Sequence, residues 1–384
     1  MNKAILVILL GLLPGRAIGQ SAPPPEPKPK SVRPPLERLL PHYGFGMNAM
    51  SNVKDWPESA QKESGIAWDF LYIYIVGNEW EEGWLNAFLG RCRRLGATPL
   101  ISYYHLMSDG RKKGYKGSEP EVVFRALKDK DLMRAYLEDT KRLFLFLSKH
   151  PGPVIYHSEA DSWTFIQWLA TGETHDGGQC PAAVKSTEMP EASTCDDTVA
   201  GFARALLGLR DRYAPRNVYL GLSAQDFRVG TAPEKTVKYV NSLGGNRWDV
   251  LIEGTIGHIY RKEGPGFWDT LDEAACQQYL KWMATVSRGV GLKVLNWQIP
   301  VGLGDYTLIA RYPEKGRLTE YANAGSMGCL IEIGTDPYKG GVWDFHKGMN
   351  VTPAGGLKGT TPSEFLQERL GLYYKRPLKT GAAK

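Results

Sequence analysis

From Pro153 to Asp161 the chain reads Pro-Val-Ile-Tyr-His-Ser-Glu-Ala-Asp, a short apolar run that ends abruptly in Glu159 and Asp161. A buried strand gains nothing in stability from acids at its end, because each carboxylate loses hydration there unless it is paired. In a barrel of alternating strands and helices, the C-terminal strand ends converge on one open face and carry the reacting groups. Glu159 lies between Tyr156 and Trp163, and an aromatic setting raises a carboxyl's pKa and keeps it protonated. We therefore read Glu159 as a general acid, with Asp161 tuning it, orienting it or binding a hydroxyl.

The remaining apolar runs end in the same kind of residue. They supply Tyr43, Tyr72, Tyr104 and His105, then His157 and Trp163, then Asp226, Glu253, Trp297, Gln298 and Glu332. Aromatic faces suit the apolar faces of sugar rings, and amides and acids suit their hydroxyls. A phosphate site would instead use glycine turns, helix N-termini and Arg or Lys. Hydrolysis of a glycosidic bond needs one carboxylic acid for the leaving oxygen and a second carboxylate as nucleophile or base. Glu253 is the expected second group, and Glu332 is the alternative. Each acid also has a structural reading, as a helix cap or a partner for a nearby Arg. His105 and His157 are more often hydrogen-bonded pocket residues than bases.

Eight strands are expected to position these groups: His42–Asn48, Trp68–Val76, Thr98–Tyr104, Val154–Glu159, Val218–Ser223, Asp249–Glu253, Lys293–Gln298 and Cys329–Ile333. Apolar residues at three- and four-residue spacing predict helices over Trp84–Leu95, Glu121–Lys149, Thr198–Tyr213, Glu234–Leu243, Leu271–Arg288 and Glu314–Ala324, with a short one near Glu58. The alternation implies an α/β fold with a parallel sheet, specifically a (β/α)8 TIM barrel. No glycine-rich turn follows the first strand, which argues against a doubly wound sheet. The long segments Ser162–Asp196 and Gly254–Thr270 are expected to wall an extended groove.

Residues 1–19 carry the charge, apolar core and small-residue ending of a secretory signal, and residues 20–35 read as a Pro-rich tether. A single barrel domain is then expected over residues 36–384, exported to the periplasm or beyond, with no membrane insertion once the leader is removed. Five cysteines are too few for a disulfide framework. A Cys180–Cys195 bond would restrain the insertion after the fourth strand, but sequence does not fix that pairing. No spacing suggests zinc, and no cofactor is expected. The 47 Lys and Arg against 41 Asp and Glu give a net charge of +6. That is too mild, and too little interleaved with aromatics, for a nucleic-acid partner.

The segments His157-Ser158-Glu159-Ala160-Asp161 and Asn296-Trp297-Gln298-Ile299-Pro300-Val301-Gly302 resemble the His-x-Glu-Pro-Asp and Trp-Gln-x-Pro-x-Gly pieces of bacterial secreted proteins in the TIM-barrel glycoside hydrolase superfamily. The resemblance implies a carbohydrate-active barrel with Glu159 at the strand-four acid position. Two departures stand out. The largest clan of such barrels places its second catalytic Glu on strand seven, where this chain has Gln298, and Ala160 replaces the motif's proline. The expectation is an exported hydrolase that cleaves a polysaccharide within the chain; the alternative is a catalytically silent sugar-binding barrel acting in polysaccharide export or surface assembly.

Overall fold

The computed structural model describes residues 33–49, 55–77, 80–170, 172–223, 231–254, 273–300, 317–332 and 362–380. Eight parallel strands close into a barrel in chain order. They are β1 (Gly44–Asn48), β2 (Phe70–Val76), β3 (Thr98–Tyr104), β4 (Val154–Ser158), β5 (Val218–Ser223), β6 (Val250–Glu253), β7 (Val294–Pro300) and β8 (Ser326–Glu332). The closing pair is β1 with β8, in register from Gly44 opposite Gly328 to Met47 opposite Ile331. The expected strands are all present, with their ends shifted by up to three residues.

Alternation along the strands divides the apolar residues into two layers. Phe70, Tyr72, Leu100, Ile155, Tyr219, Ile252, Leu295, Trp297 and Leu330 fill the interior, whereas Phe45, Leu71, Ile101, Tyr103, Tyr156, Leu220 and Ile331 face the helices. The interior is crowded enough to favour glycine at strand positions such as Gly46 and Gly221. A Cβ on Gly46 would stand 2.5 Å from Phe70 Cβ, and one on Gly221 would stand 2.5 Å from Ile252 Cδ1.

The helices are α1 (Trp56–Ser64), α2 (Glu82–Leu95), α3 (Leu106–Lys112), α4 (Glu119–Lys128), α5 (Lys130–Leu147), α6 (Ser162–Ala170), α7 (Val199–Tyr213), α8 (Pro233–Ser242), α9 (Glu273–Val290), α10 (Arg317–Asn323) and α11 (Pro362–Lys375). The single helix expected over Glu121–Lys149 is two. Ser118 and Glu121 form a capping box that starts α4, and Asp129 caps α5 by accepting the N–H groups of Asp131 and Leu132. Leu366, Leu370 and Tyr373 bury one face of α11, and Tyr373 Oη donates to the Tyr43 carbonyl at 2.7 Å. No helix among the described residues is long and apolar enough to cross a membrane.

The expected tether ends in ordered contacts. Arg33 reaches both oxygens of Asp249 at 2.8 Å, Tyr219 Oη donates to the Pro34 carbonyl at 3.0 Å, and Leu36 and Leu40 join the interior cluster. This segment closes the N-terminal end of the barrel.

The insertion after β4 is also more ordered than a groove wall. It folds as α6 and short 3-10 turns against α4, α5 and α7. Asp197 fixes it by accepting the N–H groups of Val184 and Ser186. Cys180 and Cys195, the pair left open by sequence, are both buried free thiols. Cys92, Cys276 and Cys329 are buried thiols as well. Burial and the Asp197 hydrogen bonds hold the segment without a cross-link. Gly254 is the last described residue before the second expected wall, which lies outside the described residues.

Candidate functional site

Among the described residues, the half-buried side chains at the C-terminal end of the barrel include Tyr74 on β2, Tyr104 on β3, Asp161 at the start of α6 and Gln298 on β7. Tyr74 and Tyr104 pack on the interior cluster, and Gln298 Nε2 donates to Tyr74 Oη at 3.4 Å. Tyr104 Oη approaches Glu119 at 3.5 Å. Burial, then the negative charges of Asp161 and Glu119, hold the Tyr104 phenol protonated well above its usual range. A phenol–amide pair, Tyr74 with Gln298, and a phenol between two carboxylates, Tyr104 with Asp161 and Glu119, therefore stand at this end of the barrel.

Beneath them lies a buried layer. His157 projects inward from β4 and is fully buried, its Nδ1 3.1 Å from Ser102 Oγ and its Nε2 3.1 Å from Ser223 Oγ. The Ser223 hydroxyl donates to the Ala160 carbonyl. The imidazole thus bridges the Ser102 hydroxyl on β3 and the Ser223 hydroxyl on β5. Burial lowers the His157 pKa to about 3, so the ring is neutral and braces β3, β4 and β5. Trp297 meets His157 edge to face at 4.9 Å. Tyr72 shares the face of Tyr74 but is sealed one layer deeper.

The two expected catalytic glutamates are both enclosed. Glu159 is 0% exposed. Its Oε1 accepts the backbone N–H groups of His105 and Leu106 at 2.9 and 3.0 Å, and its Oε2 accepts the Ser162 hydroxyl at 2.7 Å. Glu159 adopts φ 44°, which breaks the strand alternation and turns the side chain toward the first turn of α3. Burial pushes its carboxyl above the usual carboxylate range, against the opposing pull of Ser162 and the two N–H groups. The aromatic setting inferred from sequence is real, but it is the helix-facing layer of Tyr103, Tyr136 and Tyr156.

Glu253 is 1% exposed and accepts the Tyr279 hydroxyl of α9 at 2.5 Å. Asn296 Nδ2 donates to that hydroxyl at 2.6 Å, Ser326 Oγ donates to Asn296 Oδ1 at 2.7 Å, and Tyr43 Oη lies 3.0 Å from Ser326 Oγ. Glu253 thus begins a buried polar chain that links β6, α9, β7 and β8 to the residue before β1.

Three further residues named from sequence are enclosed as well. Tyr43 precedes β1, so it stands at the N-terminal end of the barrel. Trp163 stacks on Phe202, donates its indole N–H to the Ser158 carbonyl and belongs to the helix-facing core. His105 is buried against Tyr103 and Tyr136, with Nδ1 2.8 Å from Asp109. Asp226 lies outside the described residues, and Glu332 is placed only as the last residue of β8, opposite Pro300.

Tyr74, at the end of the strand expected over Trp68–Val76, also reaches this end of the barrel, and Glu119 joins it from α4. Tyr74 was legible as the member of the Tyr72/Tyr74 pair nearer the strand end. Glu119 had no sequence signal, because only the fold brings α4 beside β3.

Among the described residues no cluster of three His, Cys, Asp or Glu could hold a metal ion. A cavity of about 600 Å³ opens at the opposite end, between Arg33, Glu37, Arg247, Asp249, Arg288 and Lys293. Part of its wall is the ion-pair series Arg33, Asp249, Arg210 and Asp211. It stands at the N-terminal face, where conservation of structure and not chemistry is the rule for such barrels.

No family model and no curated protein matches the sequence. Solved structures that resemble the chain include a GH26 beta-mannanase from Bacteroides ovatus, at 11% identity over 77% of this chain and 82% of that one, with a TM-score of 0.46. They also include GH5_18 from Bifidobacterium longum subsp. longum in complex with Manb1-4GlcNAc, at 14% identity over 88% and 80%, with a TM-score of 0.47. A D-allulose 3-epimerase from Methylomonas sp. stands beside them, at 11% identity over 88% and 98%, with a TM-score of 0.39. Likenesses of this extent carry no argument about activity.

Proposed function

We propose that this protein binds a polysaccharide at the C-terminal mouth of its barrel and hydrolyses glycosidic bonds there, within the chain and after export. The observation that carries the reading is the C-terminal end of the barrel, where Tyr74, Tyr104, Asp161 and Gln298 stand half-buried and Tyr74 meets Trp297 with ring centroids 6.1 Å apart. Aromatic planes with a few convergent polar groups suit a sugar ring, whose faces are apolar and whose edges are hydroxylated.

Hydrolysis needs carboxyl groups that touch the substrate. Asp161 is half-buried at the mouth, and Glu332 ends β8. In this proposal they take the two roles, while Glu159 and Glu253 hold the strand ends in place. A second reading, a sugar-binding barrel without hydrolysis, is favoured by the enclosure of Glu159 and Glu253.

The test is oligosaccharide release, read by mass, from a panel of bacterial, plant and fungal polysaccharides. Wild type and Glu159→Gln are expected to release product, and Asp161→Asn and Glu332→Gln are expected to release none. Release by Asp161→Asn at the wild-type rate would remove Asp161 from the mechanism. Binding by every variant, with no product from wild type, would establish the second reading.

A further inference from the structure

β7 breaks the alternation of a strand at one point. Leu295 and Trp297 belong to the interior cluster and Ile299 to the helix-facing layer, while the pairing with β8 shifts register between Asn296 and Ile299. Gln298 takes up the extra residue at φ 54°, a left-handed conformation that disfavours any side chain. Its amide turns to Tyr74. Trp297 and Gln298, consecutive in sequence, therefore both serve the inside of the barrel.

The indole lies across the barrel. Trp297 meets His157 on β4, with ring centroids 4.9 Å apart, and Tyr74 on β2, with centroids 6.1 Å apart. Both strands stand three places from β7 around the closed sheet, in opposite directions. Only a ring that spans the lumen reaches both.

This indole is 1% exposed, and its N–H has no hydrogen-bond partner among the described residues. The indoles of Trp68, Trp80, Trp163, Trp248 and Trp282 each donate to a carbonyl or carboxylate oxygen. A buried donor left unmatched, beside a strained bulge at the active face of a barrel, is a standing cost to folding that a ligand oxygen would relieve.

We infer that Trp297 and Gln298 form a floor subsite for one neutral sugar unit, the indole N–H donating to a hydroxyl or ring oxygen and the Gln298 amide to a neighbouring hydroxyl. The inference rests on the carbohydrate reading above and adds the donors and the class of sugar. The two donors are uncharged, and neither ring that Trp297 meets carries a cation, since His157 is neutral. A uronic acid would call for Arg or Lys at this place.

The experiment uses protein labelled with 15N at the tryptophan indoles, titrated with cellotetraose, mannotetraose, xylotetraose, laminaritetraose, chitotetraose and trigalacturonic acid. The Trp297 signal is the one lost in Trp297→Phe. A bound neutral oligomer is expected to move that proton downfield, and Trp297→Phe is expected to weaken its binding ~5–20-fold while keeping the ring plane. Gln298→Gly, which suits the left-handed backbone, is expected to keep or raise Tm and still weaken binding; it also serves as the test if Trp297→Phe does not fold.

Binding of a neutral oligomer that leaves the Trp297 signal and both variants' affinities unchanged would overturn the subsite and leave the carbohydrate reading standing. Preference for trigalacturonic acid would overturn the class of sugar. No binding of any oligomer by wild type would overturn the carbohydrate reading and this inference with it.

Discussion

The Glu159 carboxylate accepts the His105 backbone N–H at 2.9 Å, across the gap between the ends of β4 and β3. One acid thereby joins two successive βα corners, because the same oxygen takes the Leu106 N–H and its partner oxygen takes Ser162 at the start of α6. The residue with the strongest sequence signal for catalysis thus has both carboxyl oxygens engaged by the neighbouring corners.

Glu159→Ala is expected to cost about 2–4 kcal/mol, because two buried N–H groups and a hydroxyl lose their acceptor. Glu159→Gln keeps a carbonyl oxygen for the N–H pair and is expected to cost about 1 kcal/mol. Urea denaturation of the two variants separates them, and equal losses would show that the carboxylate is not bound as described.

Stability is expected to fall as pH drops below about 6.5 toward 3. His157 has a folded pKa of about 3 against an ordinary 6.5, so in that window the unfolded chain binds a proton the folded chain refuses. The slope is about 1.4 kcal/mol per pH unit for one such group. Glu159 acts oppositely: with its folded pKa raised, the folded chain holds the extra proton, and stability falls as pH rises through the window above the ordinary carboxylate value. Unfolding free energies of wild type, His157→Gln and Glu159→Gln across pH 3 to 8 should show each variant losing its own slope.

Trp163→Ala is expected to destabilise by about 3–5 kcal/mol through the cavity it leaves beside Phe202 and Trp248. Sugar affinity of the surviving folded fraction should be unchanged. Tyr104→Ala should do the reverse, with a small loss in Tm and a marked loss of glycan binding, both measurable by calorimetry.

Thiol titration of the denatured, unreduced protein is expected to count five free cysteines. Cys180→Ser should then cost no more than about 1–2 kcal/mol, the loss from a buried group, and not the roughly 3 kcal/mol that breaking a loop of this length would cost. A count of three thiols would restore the cross-link.

The barrel was legible in the residues because hydrophobic periodicity is local. Runs such as Val154 to Ser158 can pair only as buried strands, and the Gly96 and Gly291 turns mark where helices end. The expectation of an active face at the strand ends rests on the same alternation. What sequence could not assign was the direction of individual side chains at those ends. Glu159 and Gln298 both take positive φ, and one such residue reverses the inward and outward order that alternation predicts. Glu159 turns out to the helices, whereas Gln298 turns in beside Trp297. Tyr43 and Trp163 were misplaced for a related reason, since an aromatic near a strand end packs equally well on either layer until the helices are set in place. Strand identity is written in nearest neighbours along the chain; the facing of each terminal residue is decided by partners 50 residues or more away, such as His105 for Glu159 and Tyr74 for Gln298.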